Sequence, residues 1–206
     1  GLGDVYKRQF HGNAGYLPFG RGRSPLNWSI ILGDTRFNLN LFCYDEKADS
    51  PNVFATEMFS ITPQDDIRTA QYKNMICSKN LIKKLLAAYK EGNISVRTDS
   101  KDFDSWYNKR TAADGKIDFH GRTREIYNLI RGVAAPFPGA FAYVGEEKVT
   151  VWEAQPFDEM IDFSAYAPGE VIDVFDGHPI VRTVDGSLLI KKYESAKELQ
   201  AGDVLA

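Results

Sequence analysis

A chain of 206 residues, 43% of them apolar and 26% charged, is long enough to bury one sizeable core or two smaller ones. Its 25 Lys and Arg are outweighed by 28 Asp and Glu, for a formal charge of -3; proteins that grip a long polyanion need clustered cations to displace counterions, so long nucleic acid is not an expected partner. No apolar run approaches the ~18 residues of a membrane span, no secretory signal opens the chain, and Cys43 and Cys77 lack the spacing of a metal or redox motif. This reads as a cytoplasmic protein with reduced, structural thiols and no metal site.

Residues 1–9, Gly-Leu-Gly-Asp-Val-Tyr-Lys-Arg-Gln, resemble translated adapter sequence and are expected to be non-native. Phe10-His11-Gly12 reads as the end of a strand, followed by a Gly- and Pro-rich loop up to Ser24. Ser24 then offers a capping hydroxyl with Pro25 at the first helical position, and an apolar run carries the helix to Gly33, a plausible stop. Residues 36–44 alternate as Arg-Phe-Asn-Leu-Asn-Leu-Phe-Cys-Tyr, the period of a half-buried strand, and 53–61 form a second strand beyond an acidic loop. Thr62-Pro63-Gln64-Asp65-Asp66 opens a long helix whose apolar positions Ile67, Met75, Ile76, Leu81, Ile82, Leu85, Leu86 and Tyr89 are spaced for one buried face, ending at Gly92.

Residues 93–116 lose this periodicity and gather Asp, Ser, Thr and Gly, as an interdomain linker would. Its Phe103, Trp106 and Tyr107 are expected to pack against something. Residues 122–133 make a second amphipathic helix with Ile126, Leu129, Ile130 and Val133 on one face, halted by Pro136-Phe137-Pro138-Gly139. Short strands follow at 140–144, 148–154, 170–175, 178–184 and 187–193, separated by turn signals, which suggests a small barrel or sandwich.

Several stretches carry a resemblance. His11-Gly12, then Leu17-Pro18, Arg21-Gly22-Arg23 and Pro25-Leu26-Asn27-Trp28, then a strand, then Asp45-Glu46 and Asp49, resemble the signature of the formyltransferases that use N10-formyltetrahydrofolate. Residues 135–154 with 168–172 resemble the C-terminal domain of that family, and 110–118, with the Arg21–Trp28 run, are similar to the type that formylates nucleotide-linked 4-amino-4-deoxy-arabinose. The resemblance implies an α/β chain: a partial Rossmann-like formyltransferase domain over 10–92, a linker over 93–116, and a small OB-like open β-barrel over 117–206. It implies N10-formyltetrahydrofolate as co-substrate, beside Leu17, Pro18 and the loop of Tyr44, Asp45 and Glu46, and a nucleotide-sugar as the small-molecule partner. It also implies that this chain alone is inactive, since strands upstream of Phe10 would form much of the sheet. Methionyl-tRNA formyltransferase, disfavoured by the acidic balance, and a non-catalytic binding module of the same fold are the alternatives.

Formyl transfer to an amine requires the amine to lose a proton while the carbonyl oxygen carries transient negative charge. The resemblance assigns the proton to His11, whose imidazole titrates near ~6.5, with Asp49 orienting the ring and stabilising its protonated form. The family signature holds an asparagine two residues before the histidine as the oxyanion donor, and here that place is Gln9. A donor misplaced by even ~1 Å can lower a rate ~100-fold, so Gln9 is not taken to substitute. Gly20, Arg21 and Gly22 are candidates for a substrate phosphate. His120 and His178 are expected to be structural or exposed, and Arg131 to serve a helix C-terminus, where the dipole favours a cation.

Overall fold

The computed structural model describes residues 8–13, 20–43, 52–98 and 105–206, with 8–13, 43 and 98 described by backbone alone. The chain divides into two compact units, Gly1–Ser29 with Asp34–Arg110 and Ile30–Gly33 with Thr111–Ala206.

In the first unit, strands β1 (Arg8–Asn13), β3 (Arg36–Cys43), β4 (Asn52–Ser60) and β5 (Arg97–Thr98) form one sheet in the order β1-β3-β4-β5. Each described pairing in it is antiparallel. A second, two-stranded pairing joins β2 (Arg21–Gly22) in parallel to β6 (Trp106–Tyr107). Helix α1 (Pro25–Ile31) follows β2, and its stop at Gly33 rests on a backbone at φ 78°, which glycine adopts without strain.

Helix α2 (Ile67–Lys90) begins where the Asp66 carboxylate accepts the Thr69 N–H at 2.7 Å, a side-chain cap for an otherwise orphaned donor. Just before it, the buried Asp65 carboxylate accepts the Thr62 N–H at 2.7 Å and the Lys73 ammonium at 2.6 Å. One stripe of α2, Ile67, Ala70, Cys77 and Leu81, is buried, and Cys77 and Leu81 pack against Leu39 and Leu41 of β3. The expectation of a single buried face needs correction. Met75, Ile76, Ile82, Leu86 and Tyr89 are exposed, because Met75, Ile82 and Tyr89 repeat every seventh residue on a stripe that starts two residues, about 200°, from the Cys77 direction. The Cys77 thiol titrates above its ordinary range, pushed up by burial and by the nearby Glu57 charge. The half-buried reading of β3 is also corrected: Asn38 and Asn40, expected to face water, are 4% and 0% exposed.

The second unit is a five-stranded antiparallel sheet in the order β7-β8-β11-β10-β9, from β7 (Ala140–Val144), β8 (Glu147–Asp158), β9 (Val171–Phe175), β10 (His178–Thr183) and β11 (Gly186–Glu194). Strand β8 runs four residues past its expected end, pairing with β11 as far as Asp158. Helix α3 (Thr123–Val133) sends Ile126, Ile130 and Val133 into a core shared with Val149, Val151, Val181, Leu188 and Ile190. Its first turn is capped from 62 residues away: Asp185, in the β10–β11 turn, accepts the Thr123 N–H at 2.7 Å and its hydroxyl at 2.9 Å.

The last residues of the chain tie the two edge strands of this sheet together. The Val171 N–H of β9 donates to the Asp203 carbonyl, and Tyr143 of β7 exchanges both backbone hydrogen bonds with Ala206, each at 2.8 Å. Gly169 makes the approach possible, because at φ 88° a Cβ there would lie 2.2 Å from the Leu205 carbonyl oxygen.

Candidate active site

The sheet of the first unit carries a polar row. In register, His11 of β1 is opposed to Asn40 of β3, and Asn40 to Thr56 of β4, so the three residues share one face of the sheet. Leu39 and Leu41 lie on the other face, against α2. The Asn40 Oδ1 accepts the Thr56 hydroxyl at 2.6 Å, and the Thr56 oxygen accepts Arg97 Nη2 at 2.9 Å. Two residues along β3, Asn38 is opposed to Asn13, and its buried Oδ1 has no hydrogen-bond partner among the described residues. Buried carboxamides beside a histidine position offer donors and acceptors where water is scarce, the setting in which hydrogen bonds to a developing charge are strongest.

Of the residues singled out in the sequence, His11 is placed by its backbone at this row. Asp49, Leu17, Pro18, Tyr44, Asp45 and Glu46 lie outside the described residues. Gly20, Arg21 and Gly22 are found engaged with the segment that follows the first unit's sheet. The Gly20 N–H donates to the Ser105 hydroxyl at 2.7 Å, the Arg21 N–H to the Ser105 carbonyl at 2.9 Å, and the Arg21 guanidinium lies 5.5 Å over the Trp106 ring. Gly22, at φ 103°, lets its backbone meet Tyr107, whose carbonyl oxygen would be 2.5 Å from a Cβ. Tyr107 in turn stacks on Trp28 at 5.8 Å, and Arg110 covers the Trp28 ring at 5.6 Å. The expected packing of Trp106 and Tyr107 is thus found; Phe103 lies outside the described residues.

Beneath that stack, burial raises Asp34 above the ordinary carboxylate range against a hydrogen bond from Ser29, and burial together with the Asp34 charge raises Tyr107. His120 is exposed and pairs with Asp118 at 3.1 Å, as a surface histidine would. Arg131 is 8% exposed, with Nε donating to Asn128 Oδ1 at 2.9 Å and its guanidinium 5.4 Å over Tyr127, a packing role inside the second unit. Sequence reasoning missed Asn38, Asn40, Thr56 and Arg97. The signal was present: asparagine is depleted in strands, and Asn-x-Asn within an apolar strand is unusual unless the carboxamides are used. Among the described residues no group of His, Cys, Asp and Glu is arranged to hold a metal ion, and no helix is long and apolar enough to cross a membrane.

Residues 109–206 match the family described as formyl transferase, C-terminal domain. That stretch, the C-terminal part of the chain, therefore carries a formyltransferase C-terminal domain. Solved structures extend the likeness to the first unit. HypX from Aquifex aeolicus, in complex with tetrahydrofolic acid, superposes with a TM-score of 0.71 at 21% identity, over 92% of this chain and 32% of that one. The N-formyltransferase from Helicobacter canadensis, in complex with folinic acid and dTDP-3-aminofucose, gives 0.68 at 17% identity, over 88% of this chain and 65% of that one. Methionyl-tRNA formyltransferase from Clostridium thermocellum gives 0.58 at 18% identity, over 75% and 64%. At such identities the likeness is one of fold. The chain spans about a third of the length of HypX and under two thirds of the other two.

Proposed function

We propose that this chain is part of an enzyme that moves a formyl group from N10-formyltetrahydrofolate to the amine of a nucleotide-linked amino sugar. The observation that carries the reading is the match of 109–206 to the formyltransferase C-terminal domain, joined in one chain to a unit in which His11 stands at a buried polar row. Fold likeness to structures that hold tetrahydrofolic acid, or folinic acid with dTDP-3-aminofucose, supports the folate and the amino sugar. The excess of 28 acidic over 25 basic residues favours a small substrate over tRNA. In this reading the first unit is the later part of a Rossmann-like domain, where sheet pairing has turned antiparallel, and the second is an OB-like barrel.

The proposed chemistry is nucleophilic addition and collapse. The amine lone pair bonds to the formyl carbon, His11 takes the amine proton, and the formyl oxygen carries the charge. Collapse restores the carbonyl and breaks the bond to N10 of the folate, which leaves with a proton. Asp49 orients His11; Leu17, Pro18, Tyr44, Asp45 and Glu46 line the folate; Arg21, through its guanidinium, meets a substrate phosphate, since the Gly20 and Arg21 amides already donate to Ser105.

The test is an assay of the full-length protein carrying this chain, with N10-formyltetrahydrofolate and either a panel of amino-sugar nucleotides or methionyl-tRNA. Turnover is expected with an amino-sugar nucleotide, and His11→Ala should abolish it with the melting temperature unchanged. Turnover with methionyl-tRNA alone would transfer the chain to the other branch. Binding without turnover on either substrate would establish the non-catalytic module instead.

A further inference from the structure

Charge is sorted along this chain, although its net charge is only -3. Helix α2 carries Arg68, Lys73, Lys79, Lys83, Lys84 and Lys90 and no Asp or Glu, whereas residues 149–181 carry seven Asp and Glu and no Lys or Arg. Lys73 and Lys84 are engaged within the first unit, by Asp65 at 2.6 Å and by Glu57. Arg68, Lys79, Lys83 and Lys90 are exposed and form no ion pair among the described residues. Beside them runs the uncovered stripe of the helix. Positions 72, 75, 79, 82, 86 and 89 advance by alternating steps of three and four, the spacing of a seam that a second element can fill. Lys79 thus stands between Met75 and Ile82 in an exposed row completed by Tyr72, Leu86 and Tyr89, with Lys83 and Lys90 along one flank. Exposed apolar residues scattered singly need no explanation, but a contiguous row rimmed by cations marks an interaction surface.

The charges say what the row fits. Two α2 helices laid together would set lysine against lysine with no carboxylate on either, which disfavours the symmetric pairing. The complementary surface is on the second unit. Where β8 ends, the Asp158 carboxylate accepts the Met160 N–H at 2.7 Å and the Ile161 N–H at 2.6 Å. This turn holds Met160, 94% exposed, and Ile161 out into water, with Phe157 exposed just before them and the exposed Glu159 and Asp162 on either side. Asp162 is fixed as well, accepting the Ser164 N–H at 2.9 Å. A turn already pinned by its own hydrogen bonds loses little freedom on docking, and Met adapts its shape to whatever apolar surface it meets.

We propose that α2 of one copy of this chain docks on the 157–162 turn of a second copy. Met160 and Ile161 lie against the row of Met75, Ile82 and Leu86, while Glu159 and Asp162 face Lys79 and Lys83. The two surfaces are different, so the contact is head to tail, and the rotation it imposes decides whether it closes as a dimer or as a larger ring. The apolar side chains supply the buried contact; the opposite charges speed the encounter and set its orientation.

The test is sedimentation of the full-length protein carrying this chain, across concentration and salt. Its mass is expected to rise above that of one chain as concentration increases, and association to weaken between about 50 mM and about 500 mM salt. Lys79→Glu with Lys83→Glu, and separately Glu159→Lys with Asp162→Lys, should each weaken association by about tenfold or more, because each sets like charges face to face. Melting temperatures should hold, since all of these side chains are exposed. A protein carrying all four substitutions regains opposite charges across the contact and should associate again, a rescue that damage to the fold cannot imitate.

A single-chain mass at every concentration overturns the inference, and if Lys79 and Lys83 resist acetylation in that species, another part of the same polypeptide covers the row. Association indifferent to both pairs of substitutions, or not rescued when they are combined, overturns the assignment of these two surfaces. Vesicles of phosphatidylserine that bind the protein without self-association assign the row to a membrane surface instead and overturn it too. Should a charge-reversed protein fail to fold, carbodiimide crosslinking of the native protein as an isotopically mixed population decides. A link from Lys79 or Lys83 of one copy to Glu159 or Asp162 of another supports the inference, and none overturns it.

Discussion

Asp185→Ala should loosen α3 at its first turn, although the two lie 62 residues apart in sequence. The carboxylate accepts the Thr123 N–H at 2.7 Å and the Thr123 hydroxyl at 2.9 Å, and that hydroxyl also meets the Thr183 hydroxyl at 2.6 Å in a fully buried pair. Removal of a side-chain cap costs about 0.5–2 kcal/mol, and a buried donor left unpaired costs about 1–3 kcal/mol. Asp185 itself is exposed, so water screens its charge and can reach the vacated Thr123 N–H. The lower half of those ranges applies, about 1–2 kcal/mol, which for a domain near a hundred residues is a fall of roughly 4–16 °C in the transition of the second unit. Calorimetry of the chain measures that shift, and hydrogen exchange locates it, with protection lost first in α3. Asp185→Asn, which keeps an acceptor oxygen, should recover most of the difference. A folded Asp185→Ala protein with unchanged melting and unchanged α3 protection would refute the claim that the turn caps the helix.

Leu81→Ala removes a fully buried side chain packed against Leu39 and Leu41, and should cost about 2–5 kcal/mol as read from the midpoint of urea unfolding. Gly22→Ala should detach residues 105–107, because the new Cβ would sit 2.5 Å from the Tyr107 carbonyl oxygen at a backbone φ of 103°; rising protease sensitivity within 105–110 and altered Trp28 fluorescence are the readouts. Asp65 is held below the ordinary carboxylate range, since its hydrogen bonds from Lys73 and Thr62 outweigh the opposing effect of burial. A depressed carboxylate contributes stability that is complete above its unfolded value, near ~3.9, and is lost as pH falls through the lower folded one. The stability gap between the native chain and Asp65→Asn should therefore be full at pH 6 and close on acidification, as urea melts across that range will show.

Strand and helix positions were legible because their period survives in the sequence. Residues 140–144 and 178–184 were expected as strands and are β7 and β10 to within a residue, and the stop at Gly92 holds for α2 to within two. Which side of an element is buried was less legible. The apolar residues of α2 form two stripes, and only the sheet, through Leu39 and Leu41, selects the one with Cys77 and Leu81. The part of the α3 cap that comes from Asp185 was not legible either, because that carboxylate lies 62 residues from the Thr123 N–H it accepts. At the candidate site, His11 stood out through its neighbours in sequence, whereas Asn40 acquires meaning only from the register that sets it opposite His11. Register is a long-range property, and no window of local sequence contains it.

The pairing of Ala206 with Tyr143 has a practical bearing on how this protein is handled. Anything fused after residue 206 departs from a backbone whose N–H and carbonyl are both already engaged, so a purification handle needs a flexible spacer to avoid prying that seam apart. Leu205, itself 2% exposed, lies at the same seam, so a backbone cut just before it should loosen the edge strands β7 and β9 together.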